Sequence, residues 1–157
     1  MEIRLANLED CQQVVSVLNE VTIHLSRKGI EQWNYPWDSS IIQTQIKSNC
    51  SYVLLKDGVV IGTFCISCID HINDVTVPLH SKYLSQIAIS PAYQGQNYGK
   101  QITDFACALA KNNNKTLYLD CWAGNDKLRD FYERNGFEYV GDFPEEDYYI
   151  SIFKFGA

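Results

Sequence analysis

An apolar run, a glycine-containing loop and an amphipathic helical pattern follow one another without a gap between residues 83 and 111. Tyr83–Ile89 is typical of a buried strand, and Ser90-Pro91 interrupts the run. Apolar residues then recur at helical spacing, at Ile102, Phe105, Ala106 and Leu109. The glycine loop, Gln94–Lys100, is therefore expected to join a strand to a helix, which favours an α/β fold.

Two glycines give this loop a chemical interpretation. At Gly95 and Gly99 the backbone can come close to a ligand, because glycine has no side chain to intervene. The first turn of the following helix also offers N–H groups without an internal partner and the positive end of the helix dipole. A phosphate or pyrophosphate suits such a position. Glycines are also common in plain strand-to-helix turns, so the loop alone leaves both interpretations open.

The spacing of the loop argues against two nucleotide-binding motifs. A nucleoside triphosphate P-loop has four residues between its glycines and a Ser or Thr after its Gly-Lys. Here only the residues Gln96, Asn97 and Tyr98 separate the glycines, and Gln101 follows Lys100. A dinucleotide fingerprint needs a third glycine, which this loop lacks. A phosphate-dependent kinase is therefore disfavoured.

Two segments match motifs of a known family. Gln94, Asn97 and Gly99 follow the order Arg or Gln, two residues, Gly or Ala, one residue, Gly or Ala. Asn97 departs from that pattern, but Asn tolerates a positive φ better than other residues with a side chain. Residues Asn125–Phe137 carry an Asn, a Tyr and a Gly-Phe pair on a predicted helix. In both segments, and in their order, the chain resembles the GNAT superfamily of acyl-CoA N-acyltransferases.

The resemblance implies an α/β fold of the GNAT type, with a mixed, mostly antiparallel sheet flanked by helices on both faces. The chain has 157 residues, of which 46% are hydrophobic and 20% charged, so we expect a single N-acetyltransferase domain over residues 1–157. Neither a basic-then-apolar leader nor a long apolar run occurs in the sequence, which favours a cytoplasmic protein.

The net charge of −6 argues against a broad surface for nucleic acid or for an anionic membrane, which would need clustered Lys and Arg. The excess of carboxylates favours instead a cationic acceptor such as an amine. No metal site is expected, because Cys65 and Cys68 point to opposite faces of a predicted strand and no second cysteine pair is near. The sequence is compatible with a homodimer and says nothing more of oligomeric state.

The resemblance also implies the cofactor, acetyl-CoA, and the residues that bind it. The main chain of Ile87, Ala88 and Ile89 is expected to hold the pantetheine like an added strand, with an N–H left to polarise the thioester carbonyl. The pyrophosphate is expected on the loop residues Gln94, Gly95, Gln96, Asn97, Tyr98, Gly99 and Lys100. The rest of the cofactor arm is expected to contact Asn125, Leu128 and Phe131.

An acetyl group can pass directly to an amine, which requires proximity, an oxyanion donor and proton transfer. Tyr132 matches the helix tyrosine of the family and is the candidate proton donor. Glu31 and Asp120 are the candidate bases. The expected acceptor is a small-molecule or peptide amine. The resemblance implies that three aromatic side chains would line its pocket, although they could equally close the core: Trp33, Tyr35 and Trp37. The alternative is a module that binds acyl-CoA without chemistry.

The remaining elements are predicted from capping and turn signals. Asn7 with Asp10, and later Asp38, are expected to cap two helices, and Asp57-Gly58 is expected to close a hairpin. Residues 69–81 are expected to form an irregular excursion before the central strand. Further strands are predicted for Glu2–Leu5, Thr116–Trp122, Phe137–Val140 and Tyr148–Phe155.

Overall fold

The computed structural model describes residues 1–31 and 33–156. Its strands are β1 (Glu2–Leu5), β2 (Ser51–Lys56), β3 (Val59–Ile72), β4 (Val75–Ile89), β5 (Leu117–Trp122), β6 (Glu138–Glu145) and β7 (Tyr148–Phe155). Its α-helices are α1 (Cys11–Ser26), α2 (Ser39–Lys47), α3 (Tyr98–Asn112) and α4 (Asp126–Arg134). The strands form one sheet in the order β1-β2-β3-β4-β5-β7-β6.

The pairings in this sheet are antiparallel for β1–β2, β2–β3, β5–β7 and β6–β7, and parallel for β4–β5. The parallel pairing joins Lys82 and Tyr83 to Leu117 and Tyr118. The predicted α/β class, with a mixed and mostly antiparallel sheet, is therefore confirmed. Within the described residues no helix is both long and apolar enough to cross a membrane.

The chain divides into two compact units, of which the first comprises Met1–Ile66 and Gln86–Thr103. The predicted capping box is present, but it caps the 3₁₀ turn Leu8–Asp10 that leads into α1, and α1 itself has no side-chain cap bond. The side chain of Asn7 accepts from the N–H of Glu9 at 3.0 Å, and Asp10 accepts from the N–H of Asn7 at 2.8 Å. Asp10 also pairs with Arg4 at 2.7 Å, which ties the start of α1 to β1.

The core of the first unit lies between its helices and strands. Side chains from α1 and α2 pack with others from β2, β3 and β4; the members with the least exposure are Val14, Leu18, Ile42 and Val53. The burial of each such side chain stabilises the fold by about 1.5–3 kcal/mol. The 3.6-residue period of α1 and the cap that Asp38 places on α2, where it accepts from the N–H of Ser40 at 2.9 Å, were both predictable.

Two-residue turns join β2 to β3, β3 to β4 and β6 to β7. Asp57 and Gly58 have φ of +53° and +78°, so the predicted two-residue turn is confirmed. The expectation of an irregular excursion over residues 69–81 is wrong, because β3 continues to Ile72 and β4 begins at Val75. In β3 the polar residues Asp70 and His71 are adjacent, and in β4 Pro78 lies within the alternating run of Val75, Val77 and Leu79, so the sequence does not indicate two strands clearly.

The second unit comprises Ser67–Ser85 and the chain from Asp104 onward. Its strand β7 lies between β5 and β6, with Leu119 opposite Phe153 and Asp120 opposite Ile152. The prediction that β6 ends at Val140 is wrong, since the strand runs to Glu145. As the last strand in the sheet order, β6 can include Pro144, which has no N–H to donate. Its residues Gly141, Asp142 and Pro144 are of types that are rare in strands, so the sequence there resembles a loop.

Candidate active site

The glycine loop adopts the conformation that its residue types allow. Strand β4 ends at Ile89, a short 3₁₀ turn covers Pro91–Tyr93, and α3 begins at Tyr98. Between them, Gly95 has φ of +79° and Asn97 has φ of +66°, both in the left-handed region. Asn97 therefore takes the conformation that Asn tolerates best among residues with a side chain, and the loop turns sharply into the helix.

The loop presents an open face with backbone donors. A Cβ atom added at Gly95 or Gly99 would meet no atom within 4 Å. The first i to i−4 bond of α3 runs from the N–H of Gln101 to the carbonyl of Asn97 at 3.2 Å, so the N–H groups of Tyr98 and Gly99 precede the helical ladder. Such donors at a positive helix end fit a pyrophosphate, which the loop could bind without any side chain in between.

Two loop side chains are turned toward the protein. The amide of Gln94 donates to the main-chain carbonyl of Ile89 at 2.9 Å, which ties the loop to the end of β4. Tyr98 is buried, and its ring lies 6.5 Å from that of Tyr93 in an edge-on arrangement. These two residues hold the shape of the loop, and the donors left at its open face belong to the main chain.

Lys56 joins this cluster and was not anticipated from the sequence. Its ammonium group lies 5.6 Å from the ring centroid of Tyr93 and 6.0 Å from that of Tyr98. A hydrogen bond to Tyr98 raises the pKa of Lys56 above its ordinary value, and electrostatic interactions with Tyr98, Tyr93 and Asp57 add to the effect. The lysine stands at the end of β2, far from the loop in sequence, so only the pairing of strands reveals it.

A second unanticipated feature lies in β4, directly before the residues expected to hold the pantetheine. Gln86 has φ of +58°, which is rare for a residue with a long side chain inside a strand. Its side-chain amide forms a reciprocal pair with Gln45 of α2, with N···O distances of 3.0 and 3.1 Å, and the thiol of Cys65 donates to Gln45 at 3.6 Å. In the sequence, the one indication of this feature is a polar Gln within an apolar run.

Strand β3 lies close to the main chain that follows Gln86. A Cβ added at Gly62 would lie 2.9 Å from the side chain of Ile89 and 3.1 Å from the carbonyl of Ala88. The N–H of Ser90 donates to the carbonyl of Ile61 at 2.8 Å. Glycine at position 62 is thus required for β3 to lie against Ala88 and Ile89.

The aromatic segment before α2 is divided between two environments. Trp37 is anchored, since its main-chain N–H donates to Asn19 at 2.8 Å and its indole N–H donates to Thr22 at 3.0 Å. Trp33 packs edge-on against Trp37, with ring centroids 5.5 Å apart, and both contact the core. Tyr35 is 58% exposed. The two tryptophans therefore close the core, and Tyr35 is the member of the set with a free surface.

The candidate base Glu31 is an exposed carboxylate at the end of the α1 region. It accepts a hydrogen bond from the hydroxyl of Ser26 at 2.7 Å. Glu31 belongs to the first unit, together with the glycine loop.

Asp120, the other candidate base, lies in a very different environment. It faces a cavity of about 280 Å³ in the second unit, lined by Ile69, His71, Ile72, Asn73, Tyr83, Asp120 and Glu145. The hydroxyl of Tyr83 donates to its carboxylate. Burial raises the pKa of Asp120 above its ordinary value, the bond from Tyr83 lowers it, and the charge of Glu145 raises it; the net direction is upward. A carboxylate with a raised pKa suits proton acceptance near neutral pH.

The candidate acid Tyr132 is buried on α4. Its ring lies 5.5 Å from that of Phe131, 5.7 Å from that of Phe137 and 5.5 Å from that of Phe153. Burial raises the pKa of Tyr132 far above its ordinary value, and electrostatic interactions with Cys121 and Asp120 contribute less in the same direction. The phenol is therefore held in its protonated form, as a proton donor must be.

Asp120 and Tyr132 lie on opposite faces of β5. Residues directly opposite each other in an antiparallel pair point to the same face, and Asp120 is opposite Ile152 while Leu119 is opposite Phe153. Tyr132 packs on Phe153, and Ile152 belongs to the apolar cluster that includes Tyr83. The strand therefore separates the two side chains.

The other predicted residues of α4 have distinct positions. Asn125 is the N-cap of the helix, and its side-chain oxygen accepts from the N–H of Leu128 at 3.1 Å. Leu128 and Phe131 are half-buried, which leaves part of each side chain open to a ligand. Asn125 therefore fixes the start of α4, and the latter two offer apolar surface.

The structure thus places the candidates in two groups. The first unit contains Glu31, Trp33, Tyr35, Trp37, Ile87–Ile89 and Gln94–Lys100, and the second contains Asp120, Asn125, Leu128, Phe131 and Tyr132. In the part of the chain that the structure describes, no group of three or more His, Cys, Asp or Glu side chains could hold a metal ion.

The fold is of the α/β class, and the glycine loop leads into a helix N-terminus whose main-chain donors would suit an anionic group. The profile of the family described as Acetyltransferase (GNAT) family matches residues 18–137, well over half of the chain. The chain therefore belongs to the GNAT acetyltransferase family.

Known proteins resemble this chain over most of its length. It is 27% identical over 142 residues to an uncharacterized N-acetyltransferase, YesJ, of Bacillus subtilis, covering 85% of this chain and 79% of that protein. A GNAT-family acetyltransferase from Listeria monocytogenes superposes with a TM-score of 0.78 at 22% identity, over 98% of this chain and 92% of the other. The Salmonella typhimurium acetyltransferase yncA, solved with acetyl-CoA, gives a TM-score of 0.74 at 14% identity, over 99% and 92%. At these identities the two structures establish the shared fold.

Proposed function

We propose that this protein transfers the acetyl group of acetyl-CoA to a primary amine of a small acceptor. The observation that carries the proposal is the glycine loop, in which left-handed Gly95 and Asn97 lead into the N-terminus of α3 with an open face. Family membership supports acetyl transfer as the reaction, and the bound acetyl-CoA of a structural neighbour supports the cofactor.

The residues present suit this cofactor. Main-chain donors of the loop, at Tyr98 and Gly99, would bind the pyrophosphate, and the main chain of Ile87–Ile89 would bind the pantetheine as an added strand. Leu128 and Phe131 would contact the rest of the arm. Bound acetyl-CoA supplies an activated acyl thioester, so this chain needs only to orient the reactants and to manage protons.

Two buried groups are suited to the proton transfers. Asp120 would first take a proton from the acceptor ammonium, because burial makes this carboxylate a stronger base than an exposed one. The freed nitrogen lone pair then bonds to the acetyl carbon, and the further proton that the nitrogen loses on amide formation passes to solvent. Tyr132 would give a proton to the sulfur as the carbon–sulfur bond breaks. Glu31, exposed and already bonded to Ser26, is the weaker candidate base.

The first test is isothermal titration with acetyl-CoA, dephospho-CoA and ATP, followed by an amine screen that detects released thiol. Micromolar binding of acetyl-CoA and thiol release with a primary amine are expected. Equal binding of ATP would contradict the assignment of the loop. Binding of acetyl-CoA without turnover of any amine would favour the alternative, a module that binds acyl-CoA without chemistry.

A further inference from the structure

A cysteine and a lysine lie side by side on the sheet, and neither belongs to the residues assigned to the candidate active site. The ammonium group of Lys82 on β4 donates to the sulfur of Cys68 on β3, with an N···S distance of 3.4 Å. Strands β3 and β4 are neighbours in the sheet, and both residues belong to the second unit. Two nucleophilic side chains are therefore within contact distance of each other.

Strand β5 fixes the backbone of Lys82. The N–H of Lys82 donates to the carbonyl of Thr116 at 2.9 Å, and the residue is opposite Leu117 in the parallel pairing of β4 with β5. The side chain of Lys82 is half-buried, which restricts the directions that it can take. Well-oriented groups held at contact distance react with effective molarities of about 10⁵–10⁸ M. The pair is thus arranged for the transfer of a group from sulfur to nitrogen.

The sulfur of Cys68 is accessible to a reagent in solution. Of the cysteines that the structure describes, Cys68 is the exposed one. Cys65 is buried, and burial raises the pKa of its thiol to about 12, so that thiol stays protonated and unreactive. The other cysteines are buried or half-buried: Cys11, Cys50, Cys107 and Cys121. Since a cysteine is intrinsically a strong nucleophile, Cys68 is the thiol that an electrophile meets first.

We propose that Cys68 and Lys82 form a self-acylation site, which takes an acetyl group from a thioester such as acetyl-CoA and passes it to the lysine. In the first step the Cys68 sulfur bonds to the acetyl carbon and the carbon–sulfur bond of the thioester breaks. The departing thiolate takes up the proton that the Cys68 thiol releases. The acetyl group is then held on Cys68 as a new thioester.

In the second step the acetyl group moves to Lys82. The ammonium group loses one proton to solvent, and its nitrogen bonds to the acetyl carbon. The bond from that carbon to the Cys68 sulfur breaks, and the sulfur takes the second proton that the nitrogen loses. The products are N-acetylated Lys82, a free thiol from the donor and a regenerated Cys68 thiol, so the reaction needs no oxidant or reductant.

This self-acylation is separate from the proposed transfer to an acceptor amine. The thioester reaches Cys68 from solution, so neither the glycine loop nor Tyr132 takes part. The probe is therefore S-acetyl-N-acetylcysteamine, a short thioester without a nucleotide, used in parallel with acetyl-CoA. Because this probe lacks the pyrophosphate, its reaction with the protein does not depend on whether the protein acetylates any amine.

The variants separate the two steps. Cys68→Ala removes the first nucleophile at an exposed position, where the fold accepts the change. Cys107→Ala, which removes a half-buried thiol of α3, is the matched control. Lys82→Arg keeps the positive charge, but its guanidinium stays protonated and does not attack a thioester. The acetyl group should then remain on Cys68. Thermal denaturation of each variant verifies that the fold is kept.

The experiment is peptide mass spectrometry after timed incubation with each thioester. In the unmodified protein and in Cys107→Ala, Lys82 is expected to be acetylated at least about tenfold faster than Lys28, an exposed lysine beyond the end of α1. In Cys68→Ala the rate at Lys82 is expected to fall to that of Lys28 or below. Lys82→Arg is expected to carry an acetyl group on Cys68 that hydroxylamine removes.

Four results would each overturn the inference. The first two are equal rates at Lys82 and Lys28 in the unmodified protein, and fast acetylation of Lys82 in Cys68→Ala. The third is a Lys82→Arg protein without a hydroxylamine-labile acetyl group on Cys68. The fourth is acetylation of Lys82 by acetyl-CoA but not by the short thioester, because the donor would then be the bound cofactor.

Discussion

The hydroxyl oxygen of Tyr83 lies 3.1 Å from both carboxylate oxygens of Asp120. This bond favours the ionised carboxylate, whereas burial and Glu145 favour the protonated one, and the latter two prevail. Burial, together with Asp120, raises the pKa of Tyr83 well above its ordinary value, so the phenol remains the donor of the pair. The balance between these effects makes the basicity of Asp120 adjustable by single substitutions.

Tyr83→Phe is expected to move the acidic limb of the pH–rate profile to higher pH. Loss of the donated hydrogen bond removes the one contribution that lowers the pKa of Asp120, so the base becomes ionised, and the enzyme active, only at higher pH. The measurement is kcat/KM against pH for an accepted amine. Tyr149→Phe, at an exposed tyrosine of β7, is the control and should leave the profile in place.

Asp120→Asn is expected to reduce kcat/KM by about 10²- to 10⁴-fold, the usual contribution of a general base. The same change should not lower the melting temperature. A raised pKa in the folded state means that ionised Asp120 weakens stability as the pH rises through that pKa, and a neutral amide avoids this effect while still accepting from Tyr83. Thermal denaturation at neutral pH checks this; a clearly lower melting temperature would contradict the argument.

Gln86→Ala and Gln86→Gly are expected to differ in activity. Any residue with a Cβ carries about 1–2 kcal/mol of backbone strain at φ of +58°, and the native Gln86 offsets it through its side-chain pair with Gln45. Alanine keeps the strain and loses the pair, which would shift the main chain of Ile87–Ile89, whereas glycine adopts this conformation freely. We expect acetyl-CoA turnover to fall about tenfold in the alanine variant and to be largely kept in the glycine variant. Gln45→Ala, which removes only the amide partner, reports the effect of losing the side-chain pair. Equal impairment of both Gln86 variants would exclude a main-chain role.

Gly99→Leu is expected to weaken acetyl-CoA binding by about tenfold or more, with little change in melting temperature. The added side chain would meet no protein atom within 4 Å, so the fold can accept it, but it would cover the face of the loop where the pyrophosphate is proposed to bind. Titration calorimetry measures the affinity. Ala108→Leu introduces the same bulk at an exposed site of α3, and a loss of affinity there would point to a nonspecific effect.

Asp10→Asn is expected to lower the free energy of unfolding at neutral pH by about 1–3 kcal/mol, because it removes a part-buried charged partner of Arg4. Hydrogen bonds from Arg4, and to a smaller extent from the N–H of Asn7, lower the pKa of Asp10. Burial opposes them, but the net pKa stays below its ordinary value. Its contribution is therefore present above about pH 4 and is lost as the pH falls through the lowered pKa. Denaturant titrations of both proteins should converge in acid, and a difference that persists there would refute the electrostatic origin.

Local signals in the sequence were sufficient for most elements. The cap at Asn7 and Asp10, the turn at Asp57-Gly58 and the cap at Asn125 depend on residues at most a few positions apart, so their chemistry can be recognised without a fold. The outer hairpin was missed although Val75, Val77 and Leu79 alternate with other residues, because Pro78 within that run argues against a strand and the Asn73-Asp74 turn alone was too weak a signal.

In the candidate site, too, some features follow from local sequence and others depend on the fold. The sequence by itself determined the strand, loop and helix around Gly95 and Gly99, since glycine placement and helical period are local properties of the chain. Only the tertiary structure decided which carboxylate is buried, that Tyr83 and Glu145 surround Asp120, and that Gln45 holds Gln86 in a left-handed conformation. These contacts join residues far apart in the chain, and a pKa depends on burial and on neighbouring charges, which exist only after the strands have paired.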